Sequence, residues 1–282
     1  MTNENQTHYP NISQSWGIIG IAILMTIVAT PIVFFKDFFG EDLTMLLVYV
    51  ISMGLTFLII HKKRVQFTNL KHYPFKNIKI ITVMLVVLST IALQIGFSSP
   101  ITELIPMPDS MKEIFENQLG GKSIYTFLLV VVAAPLFEEL IFRGIILDGL
   151  LRRYTPLKSI LFSAFLFGVI HLNPWQFITA MILGTFAGWL YYKTRNLTLP
   201  ILMHAVNNFF AYLSMYYYDE KGLEYDQSIQ ELMGGSINYL LLITGGVVLS
   251  IVTIYVLSNN FNKSAPIAWQ EDEIIVEDNE LI

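Results

Sequence analysis

Runs of mainly apolar residues recur along this chain, most of them reaching the roughly eighteen that a helix needs to cross about 30 Å of hydrocarbon at ~1.5 Å per residue. They lie at Trp16–Phe35, Leu43–Ile60, Ile78–Phe97, Ser123–Leu147, Lys158–Leu172, Trp175–Tyr192, Leu197–Tyr217 and Ile237–Leu257. With 54% apolar and 14% charged residues and a mean hydropathy of +0.56, the chain is too apolar for a water-soluble globule of 282 residues. Lipid cannot hydrogen-bond a free backbone, so runs of this length are read as helices. The expected fold is all-α: a polytopic integral membrane protein with about eight transmembrane helices.

Charge sets the expected orientation. The connection His61–Lys79 carries Lys62, Lys63, Arg64, Lys71, Lys76 and Lys79, whereas Ser98–Lys122 and Tyr218–Ser236 are acid-rich. Basic loops stay on the cytoplasmic side, and Arg152, Arg153, Lys158, Lys193 and Arg195 then fall on that same side in alternation, so both termini are expected in the cytoplasm. Residues 1–15 form a cytoplasmic segment without the basic start and small-residue cleavage pattern of a signal peptide, 16–257 the helical membrane domain, and 258–282 an acidic cytoplasmic tail. There is no internal repeat. There is also no cysteine, which excludes disulfides, thiolate catalysis and cysteine-bound metal. Gly184 and Gly188 form a small-xxx-small pair suited to close helix packing. The Asn-x-Ser/Thr triplets at Asn11 and Asn196 fall on the cytoplasmic side and read as chance matches to a glycosylation signal.

Ionisable side chains cost about 2.5–3.5 kcal/mol each at the centre of a membrane helix, so they mark function by default. Here they gather. The fourth run contains Glu138, Glu139 and Arg143, the fifth ends in His171, and the seventh carries His204 and Asn208. Glu139 and Arg143 are four apart, on one helix face, and able to pair; His204 and Asn208 share a face for the same reason. Glu138 points about 100° away from Glu139, toward another partner, with His171 or His204 as candidates. Pro135 removes a backbone donor one turn earlier, freeing a carbonyl and bending the helix where the carboxylates begin. A lone Glu–Arg pair can simply fix packing and a lone histidine is ambiguous, yet six such residues on three helices are hard to attribute to packing.

The pattern Glu138-Glu139-x-x-x-Arg143, then Phe167-x-x-x-His171, then His204-x-x-x-Asn208 resembles the three motifs of the CAAX protease and bacteriocin-processing family, also called Abi proteins. The resemblance covers about 123–217. It implies an intramembrane endopeptidase in which Glu138 is the general base that activates water, His171 assists, His204 and Asn208 stabilise the oxyanion, and Glu139 with Arg143 holds the site together. The implied substrate is a peptide or membrane protein in the lipid bilayer, either a prenylated tail or a leader peptide, and the implied location is the bacterial plasma membrane.

Cofactor use stays open on the residues alone. His171, His204 and Glu138 would suit zinc if a metal is used, but no HExxH helix is present and Asn208 fits an oxyanion donor better than a ligand, so metal-free chemistry is favoured. No nucleic-acid partner is expected. The alternative is a non-catalytic membrane protein, such as a bacteriocin-immunity factor, that uses the same polar site.

Overall fold

The computed structural model describes residues 8–111, 123–221 and 229–262. Among them every regular element is a helix, as lipid requires of a chain with this hydropathy. Eight rods follow one another: α1 (Ile12–Phe39), α2 (Glu41–Thr68), α3 (Ile80–Thr102), α4 (Ile124–Leu151), α5 (Pro156–Val169), α6 (Pro174–Thr194), α7 (Thr198–Lys221) and α8 (Ser236–Asn262). A one-turn helix, Ile229–Leu232, precedes α8.

Each expected run has its rod, but among the described residues α1, α2, α3, α4 and α8 are the five long and apolar enough to cross a membrane. The three others hold the two histidine motifs. α5 is only 14 residues long, about 21 Å, and ends at Val169, so His171 sits on the turn beyond the helix that had been expected to carry it. α8 extends to Asn262, into the expected tail; the remainder of that tail lies outside the described residues.

The outer surface is apolar as well as the interior. α1 exposes Ile23, Leu24, Ile27 and Val28, and α8 exposes Leu240, Leu241, Ile251 and Val252, an outward apolar face that matches lipid. The interior centres on α4, whose second half, Ile141 to Leu151, is buried on all sides. Ile141, Phe142, Ile145 and Ile146 pack against Ile18 and Ile19 of α1, Met53 and Ile60 of α2, and Leu166 of α5. A second apolar cluster joins α3, α6, α7 and α8 through Val86, Leu183, Phe186, Met203 and Leu257. α3 and α8 cross in near-backbone contact: a Cβ on Gly96 would lie 2.6 Å from the Val247 nitrogen, and Ser89 donates to Thr253 Oγ1 at 2.8 Å within the same interface. Small residues make such crossings possible where no hydrophobic force drives helices together.

The two Asn-x-Ser/Thr asparagines are structural. Asn11 caps α1 by accepting from the Gln14 N–H at 2.8 Å, and Asn196 donates to the Lys76 carbonyl at 3.0 Å while accepting from the Lys76 N–H. A buried polar knot ties the chain together near the ends of α2, α4 and α6. Asp148 accepts from Arg152 Nε at 3.2 Å and from the Tyr191 hydroxyl at 2.8 Å, with Arg64 Nη2 at 3.8 Å. Arg64 also donates to the Leu70 and His72 carbonyls and lies over the Tyr73 ring. Arg64 and Arg152, expected as loop charges that set orientation, are thus 3% and 9% exposed and fix the loop after α2.

Candidate active site

α4 is not a uniform helix. An α-helical stretch, Ala134–Ile141, lies between two wider π-helical segments, Leu128–Ala133 and Phe142–Leu147. Such widened turns recur at functional sites because they rotate side chains out of the ordinary 3.6-residue register. At the first of them the Ala134 N–H reaches back five residues to the Leu129 carbonyl. The next carbonyl in that register, Val130, faces Pro135, which has no N–H to give. Asn208 fills the gap from α7, donating Nδ2–H to the Val130 carbonyl at 2.8 Å. The carbonyl freed by the proline is therefore satisfied by a motif residue, and the same bond fixes the amide plane of Asn208.

The two carboxylates have different surroundings. Glu139 is wholly buried, and its Oε1 accepts from Arg143 Nη1 at 2.6 Å and from His204 Nδ1 at 2.9 Å. A carboxylate only accepts, so Nδ1 of His204 carries the hydrogen, and Nε2 is the ring atom left for chemistry. Arg143, also wholly buried, donates Nη2–H to the Gly184 carbonyl of α6 at 3.1 Å and stacks over the Phe167 ring at 4.8 Å. Gly184 leaves room for this: a Cβ there would stand 3.1 Å from Arg143 Nη2 and 3.3 Å from the Ala164 Cβ, close enough to press on both. The glycine pair thus serves close packing of α6 on α5, as expected, and in addition opens the approach for the guanidinium.

Glu138 retains 14% exposure of its side chain. Its Oε2 lies 3.7 Å from His204 Nε2, and its Oε1 accepts from the Tyr49 hydroxyl of α2 at 2.7 Å. His204 is the partner of the two anticipated for Glu138. His171 reaches the site differently: its Nδ1 donates to the Phe167 carbonyl at 2.7 Å, and its ring meets the Phe167 ring edge-on at 5.1 Å. His204 meets the same ring at 5.5 Å. Phe167 is the hub on which Arg143, His171 and His204 converge.

Glu138, Glu139, Arg143 and His204 are thus joined by direct polar contact, while His171 and Asn208 are attached through Phe167 and Val130. Among the described residues no three His, Asp or Glu side chains gather closely enough to hold a metal ion. His171 and His204 each engage Nδ1, with the Phe167 carbonyl and with Glu139, which leaves Nε2 as the atom either ring would offer to a metal or a substrate. Tyr49 was not singled out from the sequence. A tyrosine inside an apolar run is unremarked by any spacing rule, and only the packing of α2 on α4 reveals it.

The family profile described as Type II CAAX prenyl endopeptidase Rce1-like matches residues 120–210, the stretch that carries all six motif residues. This helical core is thus similar to the CAAX protease and bacteriocin-processing family that its motif pattern resembles. A Bacillus subtilis (strain 168) protein named "Putative membrane peptidase YdiL" is 29% identical over 87 residues, 30% of this chain and 36% of that protein. The chain therefore matches little more than a third of the length of this curated relative. No solved structure matches the chain. The matched core begins just before α4 and ends within α7, so α1, α2, α3 and α8, including Tyr49, lie outside it.

Proposed function

We propose that the chain is an intramembrane endopeptidase in which Glu138 activates water without a metal. The observation that carries this reading is the division between the carboxylates: Glu139 is sealed at 0% exposure by Arg143 and His204, whereas Glu138 keeps 14% and one oxygen directed toward His204 Nε2. A base must meet water and substrate; a buried ion pair that also orients an imidazole need not. The family match over 120–210 supports peptide hydrolysis, and the name of the Bacillus relative points the same way.

In this mechanism Glu138 takes a proton from water as its oxygen attacks the scissile carbonyl carbon. The carbonyl π pair moves to oxygen, and the oxyanion is met by the second N–H of Asn208 and by His204, which for this step carries a hydrogen on Nε2 as well as on Nδ1; Glu139 and the Val130 carbonyl preorganise the two donors. Collapse expels the amine, which receives the proton held by Glu138. Glu139 and Arg143 act as positioning residues, and His171, anchored on Phe167, assists Glu138. The substrate is a peptide or a membrane protein segment, a leader or a prenylated tail, reached in a bacterial plasma membrane with both termini in the cytoplasm.

The test compares purified wild type and Glu138→Gln on a quenched peptide library, each with and without a strong zinc chelator. Cleavage that is lost in the variant and retained with chelator supports the metal-free mechanism. Loss in both makes zinc essential, and a folded wild type that cleaves nothing moves the assignment to a non-catalytic binding or immunity protein.

A further inference from the structure

Glu138 is held by a residue from outside the family core. Tyr49 lies on α2, and its hydroxyl donates to Glu138 Oε1 at 2.7 Å. α2 is seated against α4 at this level: Ser52, Met53 and Thr56 are buried, and Gly54 faces the ring of Phe137, the residue before Glu138. The phenol therefore arrives on a rigid stem with two rotatable bonds, from a helix whose register on α4 is set by packing.

The contact discriminates between the two oxygens of Glu138. A phenolic O–H can donate to Oε1 when Glu138 is a carboxylate, and equally when a proton sits on Oε2, because Oε1 is then the carbonyl oxygen. It cannot donate to an Oε1 that itself carries the proton and points it at the phenol without losing the bond or reversing it. We infer that Tyr49 is a positioning residue that ties Oε1 of Glu138 and so directs the water-derived proton onto Oε2, the oxygen that faces His204. This rests on the peptidase reading. The proton taken from water and the proton later given to the leaving amine then occupy one oxygen, and the carboxyl does not need to rotate between the two steps.

The variant Tyr49→Phe keeps the ring and removes only the donor. With a cleaved quenched peptide, the expected result is a kcat lower by about tenfold to a hundredfold, the scale of a misplaced catalytic group. KM changes less than about twofold, and the melting temperature stays near that of wild type. An unchanged kcat overturns the inference, as does a loss of kcat that follows a matching fall in melting temperature. A second measurement needs neither turnover nor that variant to fold. The phenolic C–O stretch of isotope-labelled tyrosine, compared by infrared difference between wild type and Glu138→Gln, is expected to show one shifted band, and an unshifted spectrum overturns the contact. A folded wild type that cleaves no peptide overturns the peptidase reading and this inference together, whereas a cleaving wild type with a fully active Tyr49→Phe overturns this inference alone.

Discussion

Arg143→Met removes the guanidinium while nearly preserving side-chain volume, and the structure sets what this does. Arg143 is wholly buried, with Nη1 2.6 Å from Glu139 Oε1 and Nη2 3.1 Å from the Gly184 carbonyl. The largest loss is the charge left behind: breaking a buried pair from one side costs about 3–5 kcal/mol, because Glu139 stays ionisable and sealed. The Gly184 carbonyl loses its donor as well, which adds about 1–3 kcal/mol, and the two losses overlap. Glu139→Gln alone strands Arg143 in the same way. The double variant Glu139→Gln with Arg143→Met leaves no uncompensated charge, only the carbonyl and a neutral amide that still meets His204. The expected order is therefore that each single variant is destabilised by about 3–5 kcal/mol and the double by about 1–3. Equilibrium unfolding in mixed micelles, followed by tryptophan fluorescence, measures all four corners of this cycle. A double variant destabilised by at least the sum of the singles would show that Glu139 and Arg143 are not coupled, and the role assigned to them here would fall.

Asn208→Leu removes the donor that satisfies the Val130 carbonyl, so a loss of about 1–3 kcal/mol is expected in the same assay; adding Pro135→Ala, which restores a backbone N–H at that turn, recovers part of it, and no recovery would refute the gap-filling role. Burial pushes the Tyr9 phenol up to about 12, against about 10 when unfolded, so the folded state holds the proton more tightly. That stability is fully present below about pH 10 and is lost as pH rises through about 12; a pH series of unfolding curves should show a smaller alkaline decline in Tyr9→Phe than in wild type, and identical declines would refute the assignment.

The fold class and the motif residues were legible because they depend on one-dimensional signals. Apolar runs of bilayer length require helices, Glu139 meets Arg143 through the four-residue repeat of a single helix, and the same spacing puts His204 and Asn208 on one face. Helix ends were less legible. The last turn of α5 stops before His171, since the turn into Asn173 and Pro174 competes with continued helix: Asn173 caps α6 and Leu172 adopts a positive φ of 57°. The burial of Arg64 and Arg152 was hidden as well. Their partner Asp148 lies beyond the end of an apolar run, where acids and bases are usually solvated, although the spacing of Asp148 and Arg152 by four residues carried a hint of pairing.

What the sequence by itself determined is the kind of chain this is: helices forced by lipid, and a set of ionisable groups too expensive to place there without a purpose. What only the tertiary structure decided is how those groups divide the work. Glu138 and Glu139 are neighbours of the same residue type, and no periodicity says which is sealed by Arg143 and which stays partly exposed. That choice comes from α2, α6 and α7, which bring Tyr49, the Gly184 carbonyl and His204 to particular oxygen atoms. Contacts between helices far apart in the chain depend on rotation and register, and these are settled by the packing of whole apolar surfaces.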